Sequence, residues 1–162
     1  MKVSDILRVK GGTLFTVTPD QELGDAVITM SEHDIGSLVV MEHGEIVGML
    51  TFREVIQALV NTGGSLSKTL VLSVMDPHPL TCTPETEIDE VRRMMLGRHA
   101  RYMPVSQRTF MGVISFYDVA KAVVDGQDFE NRMLKAYIRD WPVDAPGGDS
   151  TTSATSTPSE QN

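Results

Sequence analysis

The stretch that decides the fold is Met111-Gly112-Val113-Ile114-Ser115-Phe116-Tyr117-Asp118-Val119. It is typical of an apolar strand that ends at a hydroxyl residue and continues directly into a helix with a carboxylate in its first turn. Ser115 is placed to cap the free amides of this helix, and Asp118 follows three residues later, as in a capping box. Two interpretations are open at this point, a purely structural cap or a docking point for a polyol or phosphate.

The same pattern occurs earlier in the chain, in Ile46-Val47-Gly48-Met49-Leu50-Thr51-Phe52-Arg53-Glu54-Val55, 64 residues before the first (Gly48 against Gly112). Further matches lie upstream. Thr16-Val17-Thr18-Pro19 matches Thr81-Cys82-Thr83-Pro84 at a distance of 65, and Val3-Ser4-Asp5-Ile6 loosely matches Val74-Met75-Asp76-Pro77 at 71. The sequence therefore predicts one structural unit written twice, each copy reading strand, helix, strand, strand, helix, with length changes in loops.

This duplicated unit resembles a known family, the tandem cystathionine-beta-synthase (CBS) domain pair, also called a Bateman module. The resemblance covers roughly residues 1 to 125, and its specific parts are Val74-Met75, Thr81-Cys82-Thr83-Pro84, Arg101-Tyr102-Met103-Pro104-Val105 and Gly112 to Asp118. It implies an α+β fold in which two repeats are related by a pseudo-twofold axis. We expect repeat 1 in residues 1–61, a linker in 62–73, repeat 2 in 74–125, a C-terminal helix in 126–141 and a disordered tail in 142–162.

The resemblance also implies two clefts between the repeats that bind an adenosine-containing ligand: AMP, ADP, ATP, NAD or S-adenosylmethionine. In one cleft Asp118 would accept hydrogen bonds from the ribose hydroxyls, Ser115 would donate to a phosphate or ribose oxygen, and Arg101 would reach the phosphate. The remaining residues that we expect in this cleft surround the adenine through side chains or backbone: Val74, Met75, Thr81, Cys82, Met103, Pro104 and Ile114.

The other cleft would be formed by the first repeat, with Thr16, Thr51, Arg53 and Glu54 as candidate ligand residues. Glu54 departs from the family pattern, because it is one methylene longer than the usual Asp. Gly36 stands near the place that Arg101 has in the second repeat, so a phosphate contact is missing unless Arg53 supplies it. The sequence therefore predicts two unequal sites, the stronger one containing Asp118.

Bulk properties exclude several classes of protein. The chain has 162 residues, of which 41% are hydrophobic and 22% charged, an ordinary soluble globular composition. Its net charge of -8 disfavours binding to nucleic acid through a broad basic surface. The longest uncharged run, from Val55 to Ser67, has 13 residues and is too short to span a membrane, and the N-terminus lacks the apolar core of a signal peptide. We therefore expect a cytoplasmic protein with no membrane or nucleic-acid partner.

Three other functions deserve weighing. An enzyme would use Glu54 and Asp118 as an acid/base pair, but their matching cap positions favour one binding role performed twice. A metal site would use His33 and His99, yet no carboxylate or cysteine completes a ligand set. The third alternative is a structural dimerisation module without a ligand.

Cys82 is the single cysteine and is expected to be a buried structural thiol.

A stripe of apolar residues follows the second repeat, formed by Phe129, Met133, Ala136, Tyr137 and Trp141. Its helical spacing predicts a further helix after Gly126 that packs on the module or on a second subunit. We expect a homodimer with an unidentified protein target. The sequence analysis thus favours a regulatory module that senses an adenine nucleotide, is not an enzyme and carries no tightly bound cofactor.

Overall fold

The computed structural model describes residues 1–11 and 13–139, without the side chains of 127–130. The expectations for Trp141 and for the tail 142–162 lie outside these residues. The elements in chain order are α1 (Val3–Lys10), β1 (Thr16–Val17), α2 (Leu23–Glu32), β2 (Ser37–Glu42), β3 (Glu45–Thr51), α3 (Phe52–Thr62), α4 (Val71–Val74), α5 (Ile88–Arg98), β4 (Tyr102–Gln107), β5 (Thr109–Ser115) and α6 (Phe116–Arg139). The predicted α+β architecture with two similar halves is confirmed.

The two hairpins repeat each other in detail. Strands β2 and β3 are antiparallel with Ser37 opposite Thr51, and β4 and β5 are antiparallel with Tyr102 opposite Ser115. The register shifts directly after Val40 in the first hairpin and directly after Val105 in the second. A β-bulge at the same position in both hairpins shows that the two repeats share the same backbone conformation there.

The sequence predicts a strand before the first helix of each repeat, at Leu14 to Val17 and at Leu80 to Cys82, and both are shorter in the structure. In the first repeat β1 pairs parallel with β2, and Val17 faces Val40. In the second repeat the predicted strand Leu80 to Cys82 is reduced to a single parallel bridge between Cys82 and Val105. Pro79 and Pro84 flank this bridge, and because proline has no backbone N–H it cannot extend the ladder.

Each repeat begins with a lead-in segment, α1 in the first repeat and α4 in the second, and each lead-in segment packs into the core of the other repeat. Val3 of α1 is fully buried in the core of the second repeat, and Val71 of α4 in the core of the first. The backbone N–H of Val3 donates to the carbonyl of Thr86 (3.0 Å), and that of Val71 donates to the carbonyl of Gln21 (2.9 Å). Thr86 lies 65 residues after Gln21, so Val3 and Val71 make equivalent hydrogen bonds in the two repeats. The expected match of Val3 with Val74 is therefore wrong by three residues, because Val71 is the equivalent residue.

Gly48 in β3 and Gly112 in β5 leave room for the lead-in segment that packs against each strand. A Cβ on Gly48 would lie 2.6 Å from Met75 Sδ and 2.8 Å from the carbonyl oxygen of Asp76. A Cβ on Gly112 would lie 3.0 Å from Leu7 Cδ2. These glycines are needed for a close approach of two chain segments, which is why both copies of the sequence pattern carry one.

Two predictions about helices are wrong. The sequence predicts a short turn at residues 3 to 8 and a break between two helices at Gly126, whereas the structure has the helix α1 at Val3–Lys10 and a single helix α6 that continues through Gly126 to Arg139. A glycine inside a helix costs about 1 kcal/mol relative to alanine, which neighbouring turns can outweigh. None of the helices within the described residues is both long and apolar enough to cross a membrane.

Residues 1–127 form one compact unit, and residues 128–139, the last described turns of α6, belong to a second. Three apolar clusters fill the first unit: one in each repeat, and a third in which Val39, Met49 and Phe110 bring the two hairpins together. In the second unit the last turns of α6 expose Met133, Leu134, Tyr137 and Ile138. Met133 and Tyr137 belong to the predicted apolar stripe.

Candidate functional site

Two cavities lie beside the strand-to-helix junctions. The first, called here the Glu54 cavity, has a volume of about 390 Å³. Its walls are the start of α3, the approach to the second repeat and the end of α5, and the polar and aromatic lining residues are Thr51, Phe52, Arg53, Glu54, Gln57, Asp76, Arg98, His99, Arg101 and Tyr102. This volume lies within the range of about 300–1,000 Å³ that small-molecule sites occupy.

The second cavity, called here the Ser115 cavity, measures about 450 Å³. It is bounded by α1, the loop that follows it, the end of α2 and the start of α6. The residues that line it include Leu7, Lys10, Phe15, Asp34, Gly36, Ser37, Tyr102, Val113, Ser115 and Tyr117. Each cavity therefore combines the strand-to-helix junction of one repeat with the end of the first helix of the other.

This crossed arrangement corrects one prediction. The sequence analysis grouped Arg101 with Ser115 and Asp118, but Arg101 lines the Glu54 cavity. Gly36 lies in the Ser115 cavity, so that cavity is the one without the arginine, and Asp118 is not among the residues that line either cavity. The reason is the tertiary packing of the two repeats, which places the end of α5 opposite the start of α3. Local sequence spacing does not indicate which junction the end of a helix will face.

The Glu54 cavity concentrates positive charge. Arg53, Arg98 and Arg101 line it together, and no ion pair joins any of them to a carboxylate within the described residues. The Arg53 guanidinium donates a hydrogen bond to the carbonyl of His99 (3.2 Å), which holds it across the cavity from its own helix. Glu54 and Asp76 line the same cavity without pairing with these arginines, so three guanidinium groups against two carboxylates, in a chain of net charge -8, make the cavity locally positive and favour an anionic ligand.

Both strand-to-helix junctions form capping boxes. The backbone N–H of Thr51 donates to Glu54 Oε2 (2.9 Å), and the Thr51 hydroxyl also contacts this oxygen. In the second repeat the N–H of Ser115 donates to Asp118 Oδ2 (2.9 Å), and the N–H of Asp118 donates to Ser115 Oγ (3.1 Å). Both pairs therefore cap their helices, and a binding role for the carboxylates stays a prediction. Each carboxylate keeps its second oxygen without a hydrogen bond from the described residues, so each can still accept one from a ligand hydroxyl.

A lysine from α1 reaches the second carboxylate. Lys10 Nζ lies 2.7 Å from Asp118 Oδ2, and the Asp118 side chain is only 17% exposed. Burial by itself raises the pKa of Asp118. The hydrogen bond from Lys10 and those from Ser115 outweigh that effect and leave the pKa below its usual value.

Several predicted ligand residues instead form the core of the second repeat. Cys82, Met103, Pro104 and Ile114 are buried and line none of the three cavities described. The prediction that the side chains of Met103 and Ile114 face an adenine is therefore corrected, because both lie in the apolar core of the second repeat. A ligand contact through the backbone of Cys82, and any contact by Pro104, stay predictions. Burial also raises the pKa of the Cys82 thiol to about 12, and the predicted structural thiol is confirmed.

The other predicted residues lie apart from the two cavities. Val74 and Met75 are half-buried against the core of the first repeat. Thr81 lines a third, open cavity of about 530 Å³ between the two hairpin turns. Thr16 is exposed on β1 and lines none of the three. Sequence reasoning missed Lys10, Arg98 and Tyr102, which only the packing of the two repeats brings to these sites.

The alternative metal site lacks a ligand cluster. The ring of His33 packs against Phe15 with centroids 4.6 Å apart, and His99 is the left-handed residue that ends α5. Within residues 1–11 and 13–139 no three His, Cys, Asp or Glu side chains are placed to hold a metal ion together. Ordinary structural roles account for both histidines.

Comparison with known proteins identifies the fold. The family model described as "CBS domain" matches residues 3–61 and 71–125. The chain belongs to the CBS-domain family. It is 32% identical over 147 residues to the mitochondrial CBS domain-containing protein CBSX3 of Arabidopsis thaliana, covering 85% of this chain and 71% of that one.

Solved structures agree with this assignment. The CBS-domain protein ATU1752 of Agrobacterium tumefaciens superposes with a TM-score of 0.72 at 31% identity, over 75% of this chain and 98% of that one. CBSX2 of Arabidopsis thaliana, in complex with AMP, superposes with a TM-score of 0.65 over 78% and 98% of the two chains. Its identity of 22% means that this second likeness concerns the fold alone.

Proposed function

We propose that this CBS pair is a regulatory module that binds an adenine nucleotide in the Glu54 cavity and signals its presence to a partner or to its own dimer. The observation that carries the proposal is the set of three arginines, Arg53, Arg98 and Arg101, that line one cavity and form no ion pair with a carboxylate among the described residues. We propose binding rather than catalysis, because the carboxylates at the two junctions and the hydroxyls of Thr51 and Ser115 beside them are used together as helix caps.

The chemistry of the cavity suits each part of a nucleotide. The guanidinium groups suit phosphate oxygens, which they bind through paired hydrogen bonds, and the N-terminus of α3 adds the positive end of the helix dipole. The free Oε1 of Glu54 can accept a ribose hydroxyl. Apolar side chains of Met49, Ile56 and Leu80 line the same cavity and offer a surface for the base.

This assignment reverses the order of the two sites predicted from the sequence. That prediction made the Asp118 cleft stronger because Arg101 was expected in it. With Arg101 in the Glu54 cavity, the cation and the ribose acceptor are together there instead. We retain unequal affinities as a proposal, with the Glu54 cavity as the stronger site.

The ligand class is drawn from the family. CBSX2 was crystallised with AMP, and the cavity is compatible with AMP, ADP, ATP, NAD or S-adenosylmethionine as a reversibly bound ligand. The relative CBSX3 is named as mitochondrial, so a cytoplasmic location for this chain stays a prediction.

A dimerisation role is favoured by a separate observation. Phe52, Ile56 and Val60 repeat every fourth residue along α3 and are all more than half exposed. Phe116 and Val124 occupy the matching positions on α6, 64 residues later, and are also exposed. Two equivalent helices with exposed apolar stripes suit a second copy of the module, so we propose a homodimer.

The test of nucleotide binding is a titration followed by thermal unfolding with AMP, ADP, ATP, NAD and S-adenosylmethionine in turn. A ligand present at 100 times its dissociation constant should stabilise the fold by about 2.7 kcal/mol. Arg101→Ala should weaken the best ligand by roughly ten- to a hundredfold, since a charge-assisted hydrogen bond contributes about 1.5–3 kcal/mol. Arg132→Ala, which removes an exposed arginine of α6, is the matched control. Nucleotide sensing is rejected if no ligand stabilises the protein or if the two variants behave alike.

A further inference from the structure

The two lead-in segments reach their strands in different ways. After α4 ends at Val74, the backbone of Asp76 pairs with Met49 of β3 through two hydrogen bonds, both 2.9 Å long. Helix α1 instead continues to Lys10, and no backbone bridge forms between that segment and β5 among the described residues. The carbonyl of Val113, which corresponds to Met49, accepts a hydrogen bond from Lys10 Nζ (2.9 Å). A side-chain ammonium thus takes the place of a backbone amide.

The same ammonium neutralises the carboxylate next to it. Lys10 Nζ lies 2.7 Å from Asp118 Oδ2, which also accepts the N–H of Ser115 at 2.9 Å. That oxygen therefore has two donors, and only Oδ1 remains for a ligand. Glu54, the corresponding acid of the first repeat, has no cation within ion-pair distance among the described residues. The two sites thus differ in charge as well as in shape.

Gly36 is a second difference. It lines the Ser115 cavity at the position that Arg101 has in the Glu54 cavity, and the ring of Tyr102, which lines both cavities, lies beside it. The Ser115 cavity therefore has no arginine among its lining residues, and its one lysine is already bonded to Asp118 and Val113. Lys10 lines this cavity and Asp118 does not, so a nucleotide entering there would have to break the ion pair, in which the Asp118 side chain is 17% exposed and that of Lys10 41%, before its ribose could reach the carboxylate.

We infer that Lys10 determines the specificity of the Ser115 cavity: by holding Asp118 it excludes a ribose, so that each chain binds one adenine nucleotide rather than two. The inference rests on the proposed function of the Glu54 cavity. It assigns Lys10, in the lead-in helix of the first repeat, a role in the ligand site formed by the second.

The test is the number of AMP molecules bound per chain, measured by isothermal titration and equilibrium dialysis on the full-length protein. The wild type should bind one. Lys10→Met should bind a second AMP at least tenfold more tightly than any further binding to the wild type, and Lys10→Met/Asp118→Asn should lose it again. Lys10→Arg keeps the charge and should stay at one, as should the control Lys135→Met, which removes an exposed lysine of α6. Lys10→Gln keeps a hydrogen-bond donor for the carbonyl of Val113 but lacks the charge, and it replaces Lys10→Met in the same measurement if that variant fails to fold.

The outcomes separate the two proposals. Two sites in the wild type, or one site in a folded Lys10→Met and Lys10→Gln, would overturn the role of Lys10 while leaving the Glu54 cavity intact. If the wild type binds no AMP, the proposed function fails by itself. In that case an AMP site that appears in Lys10→Met and disappears with Asp118→Asn would still support the role of Lys10, and no site in either variant would overturn it.

Discussion

Gly36 and Tyr102 are fitted to each other at the boundary between the two cavities. A Cβ on Gly36 would overlap the phenol oxygen of Tyr102 and lie 2.6 Å from its Cζ. Tyr102 lines both cavities, so its ring is a wall that they share. The lack of a side chain at position 36 therefore sets the position of that wall.

Gly36→Ala should force the Tyr102 ring away and destabilise the fold by about 1–3 kcal/mol, the usual cost of overpacking. The variant Gly36→Ala/Tyr102→Leu should recover much of that loss, because the shorter side chain clears the new methyl group. Urea unfolding of both single variants and the double variant gives the coupling free energy. If the two changes add to within about 0.5 kcal/mol, the contact does not constrain the structure.

A substitution at Gly48 tests whether the segment that follows α4 must pack closely against β3. In Gly48→Ala the new methyl group would meet the backbone carbonyl of Asp76, which cannot move without breaking its two hydrogen bonds to Met49. We expect a loss of about 2–3 kcal/mol in the free energy of unfolding. Gly97→Ala is the control, because nothing lies within 4 Å of its Cβ and alanine favours the helix by about 1 kcal/mol. A Gly48→Ala protein as stable as the control would show that the approach of Asp76 to β3 is loose.

The duplicated fold was predictable from the sequence because its signals are local and occur twice. Gly48 and Gly112, the hydroxyl residue and the acid at each strand-to-helix junction, and the matching apolar helix faces recur at nearly constant spacing. The repeat thereby supplied its own check on each assignment. Local signals failed at Gly126, where a residue that usually interrupts a helix lies inside one, and at Leu80 to Cys82, where flanking prolines limit the strand.

The site was less predictable because it is assembled from both halves. The local signals of Ser115, Thr51 and Glu54 identified residues that line the two cavities, whereas Asp118 lines neither of them and Arg101 lies at the other junction. Lys10 carried no signal in its own neighbourhood, since its partner Asp118 is 108 residues away in the chain. Which helix end faces which junction depends on the packing of the two repeats, and neither propensity nor periodicity encodes that relation.

The exposed stripe on α3 and α6 leads to a prediction about assembly. Val60 is 77% exposed in a stripe that matches one on α6, whereas Val9, 87% exposed on α1, belongs to neither helix. Val60→Asp should convert a dimer to a monomer, because it would bury a charge in an apolar interface, while Val9→Asp should leave the mass unchanged. Sedimentation velocity or light scattering distinguishes the two states. A wild type that is monomeric at every concentration tested, or a Val60→Asp variant that remains dimeric, would contradict this interface.

The lowered pKa of Asp118 predicts how stability depends on pH. Because Lys10 and Ser115 favour the ionised carboxylate, the folded protein holds this proton less tightly than the unfolded chain, whose aspartate pKa is about 3.9. The stabilisation is therefore complete above about pH 4 and is lost as the pH falls through the lower folded value. Urea unfolding between pH 2.5 and 7 should show a gap between wild type and Asp118→Asn that is constant at neutral pH and shrinks on acidification. Asp125→Asn, an exposed change on the same helix, should show no such gap, and a gap for Asp118→Asn that does not vary with pH would mean that its carboxylate is not held by Lys10 in solution.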